Sequence, residues 1–229
     1  MILGSKNGIA ALVIGAVVVA SAAGYWGYAQ YKRHELNRAI VTLVADTSQR
    51  LRDALKRETS GPVGDPLQIA QQLEDQANEV DRRLETLRRM GPARNPAFFD
   101  TAELYIVTAR ELLRRTAATH RNSVELSSSR SAVQDLMRDA GQRSRVWFGQ
   151  AMRAKDRFES DAFKYRLAVN AVGSLLESLA DTRAKLAAHV DPKLLIDEEL
   201  RAQAYQQASA ASKRSADEVE QVRRFVALR

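Results

Sequence analysis

The sequence predicts an all-α protein, in which a single N-terminal transmembrane helix continues into an elongated antiparallel bundle of about five helices with coiled-coil-like packing. Three observations support this fold class. An uncharged apolar run lies near the N-terminus, apolar residues recur at steps of three and four through the rest of the chain, and proline-containing breaks divide that pattern into segments. No strand-like alternation of comparable length competes with the helical spacing.

The apolar run covers residues 8–31 and follows a short N-terminal tail, residues 1–7. No Asp, Glu, Lys, Arg or His lies between Lys6 and Lys32. A helix of roughly 20 apolar residues spans the ~30 Å hydrocarbon core of a bilayer, and aromatic and basic side chains favour its edges. We therefore expect a single-pass anchor in the lipid bilayer, with membrane-interface residues Tyr25, Trp26, Tyr28, Tyr31, Lys32 and Arg33.

A cleaved signal peptide is the competing interpretation of this run. Lys6 supplies the charged start of a signal peptide, and Ala20-Ser21-Ala22 has the small residues of a cleavage site. Retention is favoured, because the uncharged run continues past that site into aromatic residues and then Lys32 and Arg33.

The predicted anchor also carries small residues at steps of four, Ala16, Ala20 and Gly24. Small residues at this spacing let transmembrane helices approach closely and pack through van der Waals contact. The face formed by these residues predicts association with a second copy or with other membrane proteins.

Two signals disagree about which side of a bacterial inner membrane carries the rest of the chain. Lys32, Arg33 and Arg38 outnumber the basic groups before the run, which favours a cytoplasmic domain. However, a short basic N-terminus before an apolar run is the usual layout of a signal anchor, and long domains translocate largely regardless of charge. We favour a periplasmic domain over a cytoplasmic one.

Residues 32–229 are long enough for one helical domain with a hydrophobic core, and their composition, rich in Ala, Leu, Arg, Gln and Glu, is typical of long helices. The chain has 35 Lys and Arg against 28 Asp and Glu, a net charge of +7. Such a surplus is compatible with an acidic partner, anionic lipid or nucleic acid. Nucleic acid is disfavoured, because the polar domain has few aromatic side chains on which bases could stack.

Proline-containing breaks set the expected helix boundaries. Asp65-Pro66, Asn95-Pro96 and Asp191-Pro192 each place a side-chain acceptor directly before a proline, as in the first turn of many helices. With Gly141 as a further stop, the predicted helices cover residues 32–59, 67–90, 98–139, 142–190 and 194–227. A turn within the serine cluster 127–131 is the alternative to one near Gly141, because short hydroxyl side chains compete for backbone groups.

Each of the first four predicted helices has an apolar stripe that indicates its buried face. The stripe of the fourth helix comprises Phe158, Ala162, Tyr165, Val169, Val172, Leu176, Leu179, Arg183, Leu186 and Val190. The second has Ala70, Leu73, Ala77, Val80, Leu84 and Leu87, and the first has Leu36, Ile40, Leu43, Thr47, Leu51 and Ala54. In the third, Ala102, Ile106, Ala109, Leu113 and Thr116 are followed by His120. The average step of 3.5 residues is typical of helices that pack at a shallow angle.

One arginine and one histidine lie on these stripes. An unpaired charge is costly in a core, so Arg183 is expected either to find a carboxylate, to extend its stem towards water, or to form a site for an anionic ligand. The structural roles are favoured over the ligand site. For His120 a hydrogen-bonded position at the edge of the core is favoured over a metal ligand or a pH switch.

The chain shows no motif for catalysis, cofactors or metals. It contains no cysteine, which excludes thiolate chemistry and zinc knuckles, and none of its three histidines belongs to a Glu-x-x-His or His-Glu-x-x-His pattern. Glycine-rich nucleotide-binding loops are also absent from the sequence. We therefore expect no enzyme activity, no cofactor and no metal site.

These observations favour a membrane-anchored helical scaffold or accessory subunit of a bacterial envelope complex, which acts through protein contacts or as a homo-oligomer. In outline, a helix that leaves the membrane and enters an up-and-down bundle resembles the extracytoplasmic sensor domains of chemoreceptors and sensor kinases. The first alternative is therefore a bundle that senses a small molecule and signals through a separate membrane partner. The second alternative is a self-assembling coiled coil that organises the membrane. A pocket of converging polar side chains would favour sensing, whereas a continuous apolar strip on the outside would favour scaffolding or assembly.

Overall fold

The computed structural model describes residues 5–61, 64–92, 95–138 and 144–227, with side chains of the first helix described from Tyr31 onward except for Arg33. These residues contain no strand. The helices are α1 (Ser5–Thr59), α2 (Pro66–Met90), α3 (Pro96–Arg138), α4 (Arg145–Leu186) and α5 (Glu198–Ala227), with a short 3₁₀ helix at Pro192–Leu194. The predicted all-α helical bundle is confirmed.

The start of α1 coincides with the predicted anchor. The helical backbone begins at Ser5 and continues without a break to Thr59. Within the part of the chain that the structure describes, no helix combines the length and the apolar character needed to cross a membrane. The side chains of residues 8–30, on which that prediction depends, lie outside the described ones.

Helices that follow one another along the chain run antiparallel, and ion pairs show this for α2 and α3. Arg88, close to the end of α2, pairs with Glu103 near the start of α3 at 2.7 Å. Glu74, in the first half of α2, pairs with Arg121 of α3 at 2.5 Å. Later residues on one helix therefore meet earlier residues on the other.

The same ordering holds for α4 against its two neighbours. Towards α3, the contacts are Trp147 Nε1 to the Leu136 carbonyl at 3.2 Å and Lys164 Nζ to Glu125 at 3.3 Å. Towards α5, they are Arg201 to the Leu176 carbonyl at 3.2 Å and Arg223 to Glu159 at 2.9 Å. The chain thus folds as an up-and-down bundle, in which short connections join antiparallel neighbours.

The bundle has two parts, because α1 ends and α2 begins halfway along it. Glu58, next to the end of α1, contacts His120, whereas α3 continues to Arg138. The larger core lies beside α1 and α2 and receives residues from all five helices. The smaller core lies beyond them, among the remaining lengths of α3, α4 and α5: Leu126, Val133, Phe158, Ala162, Val219 and Val222. We refer to these regions as the five-helix part and the three-helix part.

The predicted stripes form most of the core. Every residue of the α2 stripe is buried, and in the α4 stripe all are buried except Tyr165 and Arg183, which are half-buried. The α3 helix continues through the serine cluster, where Ser129 is buried and its hydroxyl donates to the Glu125 carbonyl at 3.2 Å. The alternative turn in that cluster was therefore wrong, since the hydroxyls bond to carbonyls of their own helix instead of ending it.

The connection between α3 and α4 falls in the region predicted for it. α3 ends at Arg138, and Ser144 caps the start of α4 by accepting from the Trp147 amide at 3.1 Å. Gly141, the expected position of the turn, lies outside the described residues.

The connection between α4 and α5 differs from the prediction. The expected helices 142–190 and 194–227 were wrong at this point, because α4 ends at Leu186 and α5 begins at Glu198. Two aspartates explain the difference. Asp191 caps only the short 3₁₀ helix, through the Lys193 amide at 2.9 Å, and Asp197 then accepts from the Glu199 amide at 2.9 Å to start α5.

This connection is held in place by polar groups from three helices. Arg52 of α1 donates to the Leu195 carbonyl at 2.8 Å, and Arg183 of α4 donates to the Ile196 carbonyl at 2.8 Å. The Ile196 amide donates to the hydroxyl of Tyr105, a fully buried residue of α3, at 3.3 Å. Backbone groups that lie outside regular helices are thereby satisfied inside the protein.

The Tyr105 hydroxyl also joins α3 to α1. It lies 2.8 Å from Ser48 Oγ, and Ser48 donates its own proton to the Val44 carbonyl at 2.8 Å. Tyr105 is therefore the donor to Ser48 and the acceptor from Ile196, which uses both capacities of a phenol.

Replacing Tyr105 with phenylalanine is expected to lower the free energy of unfolding by about 1–3 kcal/mol, because the buried Ile196 amide loses its acceptor. Denaturant unfolding followed by circular dichroism would measure the change. Tyr205→Phe is the matched control, since Tyr205 lies at the surface of α5. An equal loss in both variants would contradict a special role for Tyr105.

The same substitution has an expected pH dependence. Burial raises the pKa of Tyr105 in the folded protein, and this outweighs the opposing effects of its hydrogen bonds and of nearby arginines. Above pH ~10 the unfolded chain loses this proton while the folded chain keeps it, so rising pH reduces the contribution of Tyr105 to stability. The stability difference between the native protein and Tyr105→Phe should therefore narrow above about pH 10.

Candidate ligand-binding site

A cavity of about 1090 Å³ lies where the five-helix part meets the three-helix part. It is formed because α1 ends and α2 begins here, while the other three helices continue. Residues at the end of α1 and the start of α2 line one side, and residues of α3, α4 and α5 line the other. Its volume lies just above the range of about 300–1,000 Å³ that is typical of small-molecule pockets. We refer to it as the junction cavity.

Part of the wall of the junction cavity is apolar. It is contributed by α1, α2, α4 and α5: Leu55, Ile69, Val169, Val172, Ala204 and Ala208. Val169 and Val172 belong to the α4 stripe, so the face of α4 that packs the core also lines the cavity. Short alanine side chains on α5 leave space that larger residues would fill.

A histidine and a carboxylate face each other across the polar part of the wall. His120 Nε2 of α3 lies 2.8 Å from Glu58 Oε1 of α1. The exposed fractions of the two side chains are 14% and 26%, so the pair is partly shielded from water. The parallel arrangement of α1 and α3 sets this contact, because Ser48 and Tyr105 meet in the same order further down the same two helices.

Tyr165 adds a phenol to the same wall. Burial raises its pKa, while Arg214 and Arg130 lower it to a smaller extent. The side chain therefore stays protonated at neutral pH and can donate a hydrogen bond. Within the described residues its hydroxyl has no hydrogen-bond partner.

Cationic groups dominate the charge of the junction cavity. Lys56 of α1 and Arg214 of α5 line it, and within the described part of the chain neither makes an ion pair or a side-chain hydrogen bond. Arg57 donates to the uncharged Gln72 at 2.9 Å. Glu58 is the one carboxylate among the described lining residues, and it already contacts His120.

The described residues give no sign of metal chemistry. No group of three or more His, Asp or Glu side chains in this part of the chain is placed to hold a metal ion. What the junction cavity offers is a set of donors and cations beside an apolar wall. Such a combination can bind and orient a molecule.

The site residues predicted from the sequence do not lie together in the structure. Arg183 lies at the connection between α4 and α5, where its bond to the Ile196 carbonyl takes the place of the expected carboxylate. His120 is half-buried and hydrogen-bonded, and it lines the cavity. Tyr31 and Lys32 are exposed on α1. The side chains of the remaining predicted membrane residues lie outside the description: Tyr25, Trp26, Tyr28, Arg33, Ala16, Ala20 and Gly24.

Sequence reasoning did not identify Glu58, Tyr165 or Arg214 as members of one site. Each belongs to a different helix, and their proximity depends on how α1, α4 and α5 align. The available signal was His120, which interrupts the α3 stripe opposite the end of α1.

Comparison of the chain with models of known protein families, with curated proteins and with solved structures gives no match.

Proposed function

We propose that this protein is a single-pass membrane protein whose helical bundle binds a small molecule in the junction cavity and conveys the bound state to a protein partner in the membrane. The main observation is the cavity itself, which is lined by the polar residues His120, Tyr165 and Arg214 and by an apolar wall. Pockets with this combination are typical ligand sites. Binding without catalysis is proposed.

The course of α1 supports a link between the cavity and the membrane. One helix contains the apolar run of residues 8–31 and, at its other end, Glu58 of the cavity wall. A helix is stiff along its axis, so a shift at Glu58 would move the whole element. Shifts of about 1–2 Å in packed helices are known to carry signals.

The location proposed for the protein is a bacterial inner membrane, with the bundle in the periplasm. It rests on the uncharged run, on the aromatic and basic residues that follow it, and on the signal-anchor layout of the N-terminus. Partners in this arrangement are the lipid bilayer, a membrane protein and a soluble small molecule.

A scaffold or accessory subunit of an envelope complex is the second candidate. Phe163 and Leu167 lie one turn apart on α4, and their exposed fractions are 60% and 62%. Exposed apolar residues on one helix face can contact another protein. A self-assembling coiled coil has less support, because the long apolar stripes are already buried within this chain's own bundle.

The test of ligand binding uses the full chain in lipid nanodiscs and saturation-transfer NMR with a library of water-soluble metabolites. We expect a small set of compounds to bind saturably. Ala208→Phe should abolish this binding, because a phenyl ring would occupy the cavity beside α5.

Ala210→Phe is the matched control for that test, since Ala210 is exposed on the same helix and is not among the lining residues. Binding that survives Ala208→Phe would place the ligand elsewhere. A library without any saturable binder, together with stable co-purification of a membrane protein that Phe163→Ser and Leu167→Ser abolish, would favour the scaffold instead.

A further inference from the structure

We infer that the junction cavity selects an amphipathic organic anion, a molecule with one carboxylate or phosphate group and an apolar body. This inference rests on the proposed ligand-binding function and names the chemical class of the ligand. It follows from the charge of the cavity, from the separation of its wall into an apolar and a polar part, and from the hydrogen-bond donors that have no partner among the described residues.

The charge of the cavity favours an anion. Lys56 and Arg214 approach it from α1 and α5, and neither has a carboxylate partner within the described residues. Elsewhere on the bundle many arginines are paired, as Arg223 is with Glu159 at 2.9 Å and Arg130 with Glu218 at 2.6 Å. Among the described lining residues, Lys56, Arg57 and Arg214 outnumber the single carboxylate Glu58, and this positive surplus attracts anions.

The cavity wall has an apolar part and a polar part, and this favours an amphipathic ligand. The side of the cavity next to the larger core is lined by the buried residues Val169, Val172 and Ala204. An apolar group placed against these residues would be removed from water at a gain of roughly 25 cal/mol per Å² of buried area. The charged end of the same molecule would then lie towards Arg214.

The donors suit an oxyanion. The Tyr165 hydroxyl has no partner in the described part of the chain and stays protonated at neutral pH, so it can donate to a carboxylate or phosphate oxygen. Glu58 adds an element of selection, because an anion placed directly against this carboxylate would be repelled. The oxyanion is therefore expected beside Arg214 rather than in contact with Glu58.

The test compares three sets of water-soluble probes, each with one apolar skeleton: phenylbutyl, cyclohexylbutyl and hexyl. Within each set the end group is a carboxylate, an alcohol or an amine. Isothermal titration to the full chain in phosphatidylcholine nanodiscs, with empty nanodiscs as the blank, measures each affinity. We expect the acid of at least one set to bind at least about tenfold more tightly than its alcohol, and the amine to bind most weakly.

Substitution identifies the groups responsible. Lys56→Gln combined with Arg214→Gln should remove most of the preference for the acid while leaving the alcohol's affinity unchanged. Arg38→Gln combined with Lys213→Gln is the matched control, because it removes two charges from exposed positions on the same helices outside the cavity lining. The control variant should retain the preference.

The possible results separate the two levels of the proposal. If alcohols or amines bind as tightly as acids, and Ala208→Phe removes all of them, the cavity is a ligand site without anion selectivity and this inference is wrong. An equal loss of acid binding in both charge variants would also overturn it, since net charge alone would then explain the preference. If no probe of any class binds, the proposed ligand-binding function fails as well.

Discussion

Replacing Leu176 with alanine is expected to lower the free energy of unfolding by about 2–5 kcal/mol. Leu176 is fully buried in the middle of the α4 stripe and belongs to the larger core. The substitution would remove buried methyl groups and leave a cavity that the surrounding helices can only partly fill. Urea unfolding of the full chain in a mild detergent, followed by circular dichroism at 222 nm, would measure the loss.

Leu167→Ala is the matched control on the same helix. Leu167 is 62% exposed, so its truncation should change the free energy of unfolding by less than about 0.5 kcal/mol. A loss below about 0.5 kcal/mol for Leu176→Ala would mean that the α4 stripe does not face the core of this bundle. It would also remove the basis for placing Val169 and Val172 in the cavity wall.

Two arginines in the predicted anchor are expected to release the protein from the membrane. Each arginine near the centre of a membrane-spanning helix costs about 2.5–3.5 kcal/mol in insertion experiments. The double substitution Val17→Arg and Val18→Arg should therefore move the protein from the carbonate-resistant membrane fraction to the soluble fraction. Val17→Leu with Val18→Leu keeps the segment apolar and should remain in the membrane fraction.

N-terminal sequencing of the native protein completes this test. Retention predicts that the membrane-bound form keeps the residues before Ala23. A soluble native form beginning at Ala23 would show instead that the run is a cleaved signal peptide, and the bundle would then act without a membrane anchor.

The parts of the fold that sequence predicted well are those set by a single helix. All six residues of the α2 stripe are buried, because their spacing alone places them on one face. Asp65 caps α2 by accepting from the Leu67 amide at 3.0 Å, which is also a local interaction. Local patterns of this kind can be identified without knowledge of the neighbouring helices.

The start of α5 could not be predicted in the same way. Asp191-Pro192 has the pattern of a helix start, and Asp197, six residues later, has a less distinctive one. The choice between them depends on Leu195 and Ile196, which are buried against other helices, and on Arg52 and Tyr105, which bind the backbone between the two aspartates. These are long-range interactions.

The junction cavity is the least predictable feature, since it is a space that no residue fills. It depends on where α1 and α3 end along the bundle and on the positions of Tyr165 and Arg214 on two further helices. A sequence pattern shows which residues are apolar. It does not show where the packing of several helices leaves a space.

In the membrane arrangement proposed above, the unbroken α1 helix would also act as a spacer that sets the height of the cavity above the bilayer. From Tyr31, at the end of the predicted anchor, to Glu58 the helix rises ~40 Å at ~1.5 Å per residue. Electrostatic attraction in physiological salt is screened over ~8 Å, and a tilt of 20° shortens the height only slightly. In that arrangement, anionic headgroups of the same bilayer would not compete for Lys56 and Arg214, and a ligand of the cavity would arrive from the surrounding solution.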